Sequence, residues 1–159
     1  MLLVNKSGQY TQDHWQYVGQ EDTIPENADV VVDLDRWDEI SNKTVRKGIR
    51  LSPDTNLTEI ESLLPLVDIV LIDFPKFRDG RGFTQGKLLH ERFGFKGDIR
   101  AGGHVLPDQF SALLSCGFSS ALAAEHFPEE RWKNAATVSR KNQSPQGATT
   151  LLRKLVQHA

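Results

Sequence analysis

One cysteine, Cys116, stands in 159 residues. A single thiol excludes an internal disulfide and any zinc or iron–sulfur site built from the cysteines of one chain. Long hydrophobic runs are missing as well, since no stretch approaches the roughly 18 apolar residues of a membrane span. The opening residues Met1-Leu-Leu-Val-Asn-Lys lack the apolar core of a signal peptide, and a cytoplasmic location is expected. Charge of one sign is scarce: 19 basic against 21 acidic residues give a net charge of −2. That balance leaves no basic face for nucleic acid. Trp15, Trp37 and Trp132 lack the interleaved cations of a base-stacking platform and read as core or edge packing. His14, His126 and His158 show no ligand spacing, so no metal site is expected. Neither Gly-x-Gly-x-x-Gly after a strand nor Gly-x-x-x-x-Gly-Lys-Ser/Thr occurs, and no cofactor is expected.

What is present is a regular alternation of short apolar runs and helical patterns. The N-terminal residues 1–20 read as a small β-hairpin on the edge of the domain, with a turn at Ser7-Gly8 and alternation at Trp15, Tyr17 and Val18. Val30 to Val32 with Leu34 is a strand candidate, and Asp35 to Ile40 a short helix. From residue 48 the pattern repeats without a break. A strand over Ile49–Leu51 is followed by a helix that Asn56 caps and Pro65 ends. The run Asp68–Phe74 is continuous and β-branched, as in a strand buried on both faces of a parallel sheet. A helix from Thr84 to Phe93, a strand over Asp98–Ala101, a helix opened by Pro107 and a strand over Phe118–Ala123 complete the alternation. The expected fold class is α/β with parallel βαβ units and right-handed crossovers. An open three-layer sheet and half of a (β/α) barrel both satisfy it. The expected domain organisation is one α/β domain over 1–138, a polar linker over 139–149 and a C-terminal helix over 150–159.

Two turns at the carboxyl ends of successive parallel strands carry the chemistry. After Pro75 breaks the central strand, Lys76, Arg78 and Arg81 surround Gly80 and Gly82, just before a helix. Cations, exposed amides and a helix N-terminus at that place are suited to grip a small oxyanion. The competing reading pairs Asp79 with Arg81 and gives the glycines to a tight turn. The next turn holds Arg100, Gly102, Gly103 and His104. Arg100 is expected to line the same anion pocket, and His104 to serve as a general acid or base near neutral pH. Alternatively Arg100 pairs with Asp98 or Asp73, and His104 caps the helix that follows. Asp73 ends the buried strand, where a carboxylate is costly unless paired, so it is expected to meet an arginine. Asp73, Asp79 and His104 are the candidate catalytic groups, and Lys76, Arg78, Gly80, Arg81, Gly82 and Arg100 the candidate anion ligands. Cys116 sits at a helix C-terminus, which disfavours thiolate, and reads as packing.

The stretches Phe74-Pro-Lys-Phe-Arg-Asp-Gly-Arg-Gly-Phe, Leu88 to Phe110 and Cys116-Gly-Phe resemble a bacterial family known as domain of unknown function 934. The resemblance covers roughly residues 29–123. His90 and His104 stand where the commonest pattern has arginine and aspartate. Members carry the label of a probable oxidoreductase involved in sulfite reduction, a label that comes from genes beside sulfite reductase in sulfate-assimilation operons. The resemblance therefore implies an accessory or oxyanion-binding protein of assimilatory sulfite reduction that acts with a sulfite reductase component. The alternative is a small enzyme that acts on an oxyanion or a phosphorylated substrate. A half barrel leaves a sheet edge open, and a homodimer is a further expectation.

Overall fold

In a computed structural model the chain is described over residues 2–76 and 78–142. Among these residues eight strands form one sheet: β1 (Leu2–Val4), β2 (Tyr10–Thr11), β3 (Gln16–Tyr17), β4 (Val30–Asp33), β5 (Lys47–Leu51), β6 (Ile69–Phe74), β7 (Asp98–Gly103) and β8 (Ser120–Ala123). Four α-helices accompany them: α1 (Leu57–Ile60), α2 (Arg81–Glu91), α3 (Pro107–Ser115) and α4 (Glu129–Asn142). Short 3₁₀ segments cover Leu34–Glu39 and Glu61–Leu66, the second carrying the chain past Pro65.

Strand order decides between the two architectures that the sequence leaves open. The sheet runs β2-β1-β8-β7-β6-β5-β4-β3. From β3 to β8 neighbours in the sheet are neighbours in the chain, and all pair in parallel. With no reversal of order, right-handed crossovers deposit every helix on one face. The chain is thus a half barrel, with helices outside and a concave face within. A length argument gives the same answer. Strands β2 and β3 are the two edges of the sheet, yet only residues 12–15 separate them in the chain. Five residue steps reach at most about 18 Å, whereas seven strand spacings in a flat sheet span about 34 Å. The sheet must curl until its edges approach each other.

Segment 12–15 consequently crosses the open mouth. Trp15 packs with Leu3, Val31, Ile69, Leu71 and Leu122 in an inner cluster on the concave face. Its ring also lies under the Arg46 guanidinium, 4.8 Å from the centroid. The expected N-terminal hairpin is therefore β1 with β2, antiparallel to each other, and β1 is also antiparallel to β8. Tyr17 belongs instead to the opposite edge, parallel to β4. On the outer face the larger cluster joins Val70, Ile72, Phe74, Ile99 and Ala121 to Leu89, Phe110, Leu113 and Trp132 of the helices. β6 is buried on both faces, from Ile69 to Leu71 and Ile72, as its unbroken apolar run dictates. Helix α4 continues through Asn142 with Ser139 buried, so the polar stretch expected from residue 139 begins as helix. The remainder of the expected linker, 143–149, and the expected helix 150–159 lie outside the described residues.

Candidate functional site

Parallel pairing places one row of side chains across the concave face: Asp33, Arg50, Leu71, Arg100 and Ser120 lie opposite one another on β4 to β8. Asp73 and Gly102 form the next row, one step nearer the carboxyl rim. Half barrels and full (β/α) barrels present their chemistry at this rim, because loops leaving several strands converge there. The candidate site is the group Asp33, Arg50, Asp73 and His104.

Arg50 gives its Nη1 to Asp33 at 3.0 Å, both side chains being partly exposed. Asp33 also accepts from Gln20 at 2.7 Å, and Gln20 reaches Asp35 at 2.9 Å. Asp33 is thereby fixed from two sides and orients the guanidinium. Burial holds the Asp73 carboxyl above the usual carboxylate range; Arg50 opposes the rise, Asp33 adds to it and His104 opposes it. Arg50 is the arginine whose charge acts on Asp73, but its ion pair is with Asp33. His104 is exposed, and its backbone N–H bonds the Phe74 carbonyl at 2.8 Å, tying the two strand ends together. The N-cap of α3 is Leu106, two residues beyond His104.

A carboxyl whose pKa rises on folding takes up its proton at higher pH in the native than in the unfolded chain. Acidification through that window therefore stabilises the native state. Asp73→Asn is expected to raise the melting temperature at pH 7. The gap should close as the pH falls through the raised pKa, where the parent regains what its ionised carboxyl cost. A variant melting at or below the parent at pH 7 would mean that the rim compensates the charge fully.

The loop after β6 is built differently from expectation. Lys76 and Arg78 are exposed. Arg81 spends its guanidinium on carboxylates, with Nε and Nη2 to Asp79 at 3.0 and 2.8 Å and Nη1 to Asp54 at 2.7 Å. Asp79 answers with a pKa lowered to about 2, chiefly by hydrogen bonding from Arg81. Helix α2 begins at Arg81, three residues before the expected start, so Gly82 lies inside its first turn. A Cβ on Gly82 would sit 2.6 Å from the Phe74 ring, whereas one on Gly80 would meet nothing within 4 Å. Gly82 thus serves close helix–sheet packing.

The convergence expected of Arg100 with this loop does not occur. Arg100 is 5% exposed on the concave face. Its Nε bonds Ser120 at 2.8 Å, and its Nη1 bonds Asp13 at 3.1 Å and the Tyr17 hydroxyl at 2.6 Å. Tyr17 in turn donates to Asp13. Its pKa is raised, by burial first and then by that bond. Alternation along β7 explains the separation, because Arg100 faces inward while α2 lies against the outer face. Neither Asp98 nor Asp73 is its partner.

Asp33 and Arg50 were not singled out by sequence reasoning. Their signal is a charge at corresponding places in two apolar strands, Val-Val-Val-Asp and Gly-Ile-Arg-Leu. It becomes readable once parallel register is known.

The fold and this rim define a protein of the half-barrel α/β class with ionisable groups gathered at the strand ends. Residues 48–150 match the family described as "Bacterial protein of unknown function (DUF934)", and the chain belongs to it. No curated protein matches the chain. Among the described residues no helix is long and apolar enough to cross a membrane.

Proposed function

We propose that the protein is a cytoplasmic accessory of assimilatory sulfite reduction that binds a small oxyanion at its carboxyl rim and acts with a sulfite reductase component. The observation that carries oxyanion binding is the state of Arg50. A guanidinium offers five N–H donors in a rigid fork, and among the described residues Arg50 gives one, to Asp33. Arg81 and Arg100, by contrast, are each divided among several acceptors. The fork matches two oxygens of a sulfite ion. Asp73, whose carboxyl burial holds above the usual carboxylate range, lies beside it and could donate to the third oxygen only on taking up a proton. The sulfite assignment itself rests on the family resemblance of the Phe74–Gly82 and Leu88–Phe110 stretches.

Isothermal titration with sulfite, sulfate and phosphate tests the binding. Hydrogen bonds to charged groups are worth about 1.5–3 kcal/mol, so Arg50→Gln is expected to weaken sulfite roughly 10- to 100-fold. Arg81→Gln should leave it unchanged. Equal affinity in the Arg50 variant, or loss in the Arg81 variant, would move the site away from the rim. Co-elution with a sulfite reductase component tests the accessory role. The raised pKa of Asp73 favours a second reading, a small enzyme that moves a proton on its oxyanion substrate. That reading requires turnover by the chain alone, lost in Asp73→Asn.

A further inference from the structure

At the opposite end of the half barrel a cleft of about 310 Å³ opens between the C-terminal ends of α2, α3 and α4 and the turn joining β1 to β2. Leu114 and Phe118 line it as buried apolar groups. Lys6, His90 and Arg140 are exposed around it, with Ser7 and Ser139 as hydroxyl neighbours, and among the described residues no carboxylate lines it. From these groups we infer a binding site for a small phosphate ester. Its phosphoryl group would be held by Lys6 and Arg140, with His90 beside it, and its apolar body would rest on Leu114 and Phe118.

Cations near helix C-termini ordinarily complement the helix dipole or bond the last carbonyls. At the ends of α2 and α3 several of these carbonyls are closed by backbone donors. The Leu88 carbonyl accepts from the N–H groups of Arg92 and Phe93, and that of Leu89 from Phe95. At the end of α3, the N–H of Phe118 reaches Leu113 at 3.1 Å and that of Gly117 reaches Leu114 at 3.1 Å. Gly117 makes the closure with φ +92°, and a Cβ there would lie 2.6 Å from the Cβ of His90. The close approach holds His90 against the cleft wall. Among the described residues, Lys6, His90 and Arg140 make no ion pair. The Lys6 and Arg140 cations are therefore not committed to a carboxylate among the described residues. A volume near 300 Å³ suits a small organic molecule, and an apolar floor under a cationic rim selects one with an anionic head.

Titration of the full chain with phenyl phosphate, followed by amide chemical shifts, tests the site. Saturable shifts at Ser7, His90, Gly117 and Ser139 are expected, and Lys6→Gln/Arg140→Gln should weaken binding at least tenfold. Both side chains are exposed, so the variant should keep the parent's melting temperature. Phenol, which shares the ring, should bind at least tenfold more weakly. Arg50→Gln should leave these shifts intact, since that residue belongs to the opposite rim. Absence of saturable shifts up to 10 mM, phenol binding as tightly as phenyl phosphate, or undiminished binding in the double variant would each overturn the assignment.

Discussion

Arg100→Ala is expected to destabilise the protein by about 3 kcal/mol, because truncating one partner of a buried ion pair leaves the other charge uncompensated. The figure is taken at the lower end of the range, since Asp13 retains 16% side-chain exposure and can be partly rehydrated. The loss extends beyond Asp13: Ser120 and Tyr17 also lose a charged donor. These contacts link β7 and β8 at the centre of the sheet to the crossing segment and to the edge strand β3. For a domain of this size the change corresponds to roughly 6–12 °C in melting temperature. Arg100→Ala, Asp13→Ala and the double variant, measured by denaturant unfolding, form a cycle that isolates the pair. Strong positive coupling is expected, with the double variant little worse than Arg100→Ala. A loss under 1 kcal/mol for Arg100→Ala would show that Trp15 alone pins the crossing segment.

That network also explains why the expected anion pocket failed to assemble. Asp13 lies 87 residues from Arg100 in the chain, on a segment that reads locally as part of an edge hairpin. Its path across the mouth follows only from the strand order, which local periodicity does not contain. The elements themselves were legible because burial on both faces imposes unbroken apolar runs, as in Ile69–Phe74. Singly wound order was not, since βα alternation is common to open sheets and barrels. The glycines after β6 misled for another reason. A helix whose N-cap is Gly80 shows no side-chain capping signal, so its first turn read as loop. The fit of Gly82 against Phe74 is a tertiary fact. Of the candidate groups, Asp73 lies near the carboxyl end of β6 and His104 just past that of β7, where the strand pattern put them. Arg50 needed register.

Gly103→Ala is expected to cost about 2–5 kcal/mol and to weaken the proposed oxyanion binding at the rim. Gly103 closes β7 at φ +84°, in the left-handed region, where a side chain costs about 1–2 kcal/mol. A Cβ would also lie 2.5 Å from the Phe74 carbonyl oxygen and 2.9 Å from Oδ1 of Asp73. The first contact is with backbone and cannot be relieved by a rotamer, and overpacking of this kind adds about 1–3 kcal/mol. Relief requires β6 and β7 to part where the His104 N–H reaches Phe74. That movement carries Asp73 and His104 apart, so oxyanion affinity should fall even under conditions where the variant is folded. Gly80→Ala provides the contrast. Its φ is −84° and nothing lies within 4 Å of its Cβ position, so the only cost is a poorer N-cap, about 1 kcal/mol or less, with sulfite affinity preserved. Equal losses of stability in the two variants, or undiminished affinity in Gly103→Ala, would mean that the β6–β7 rim yields without disturbing the groups it carries.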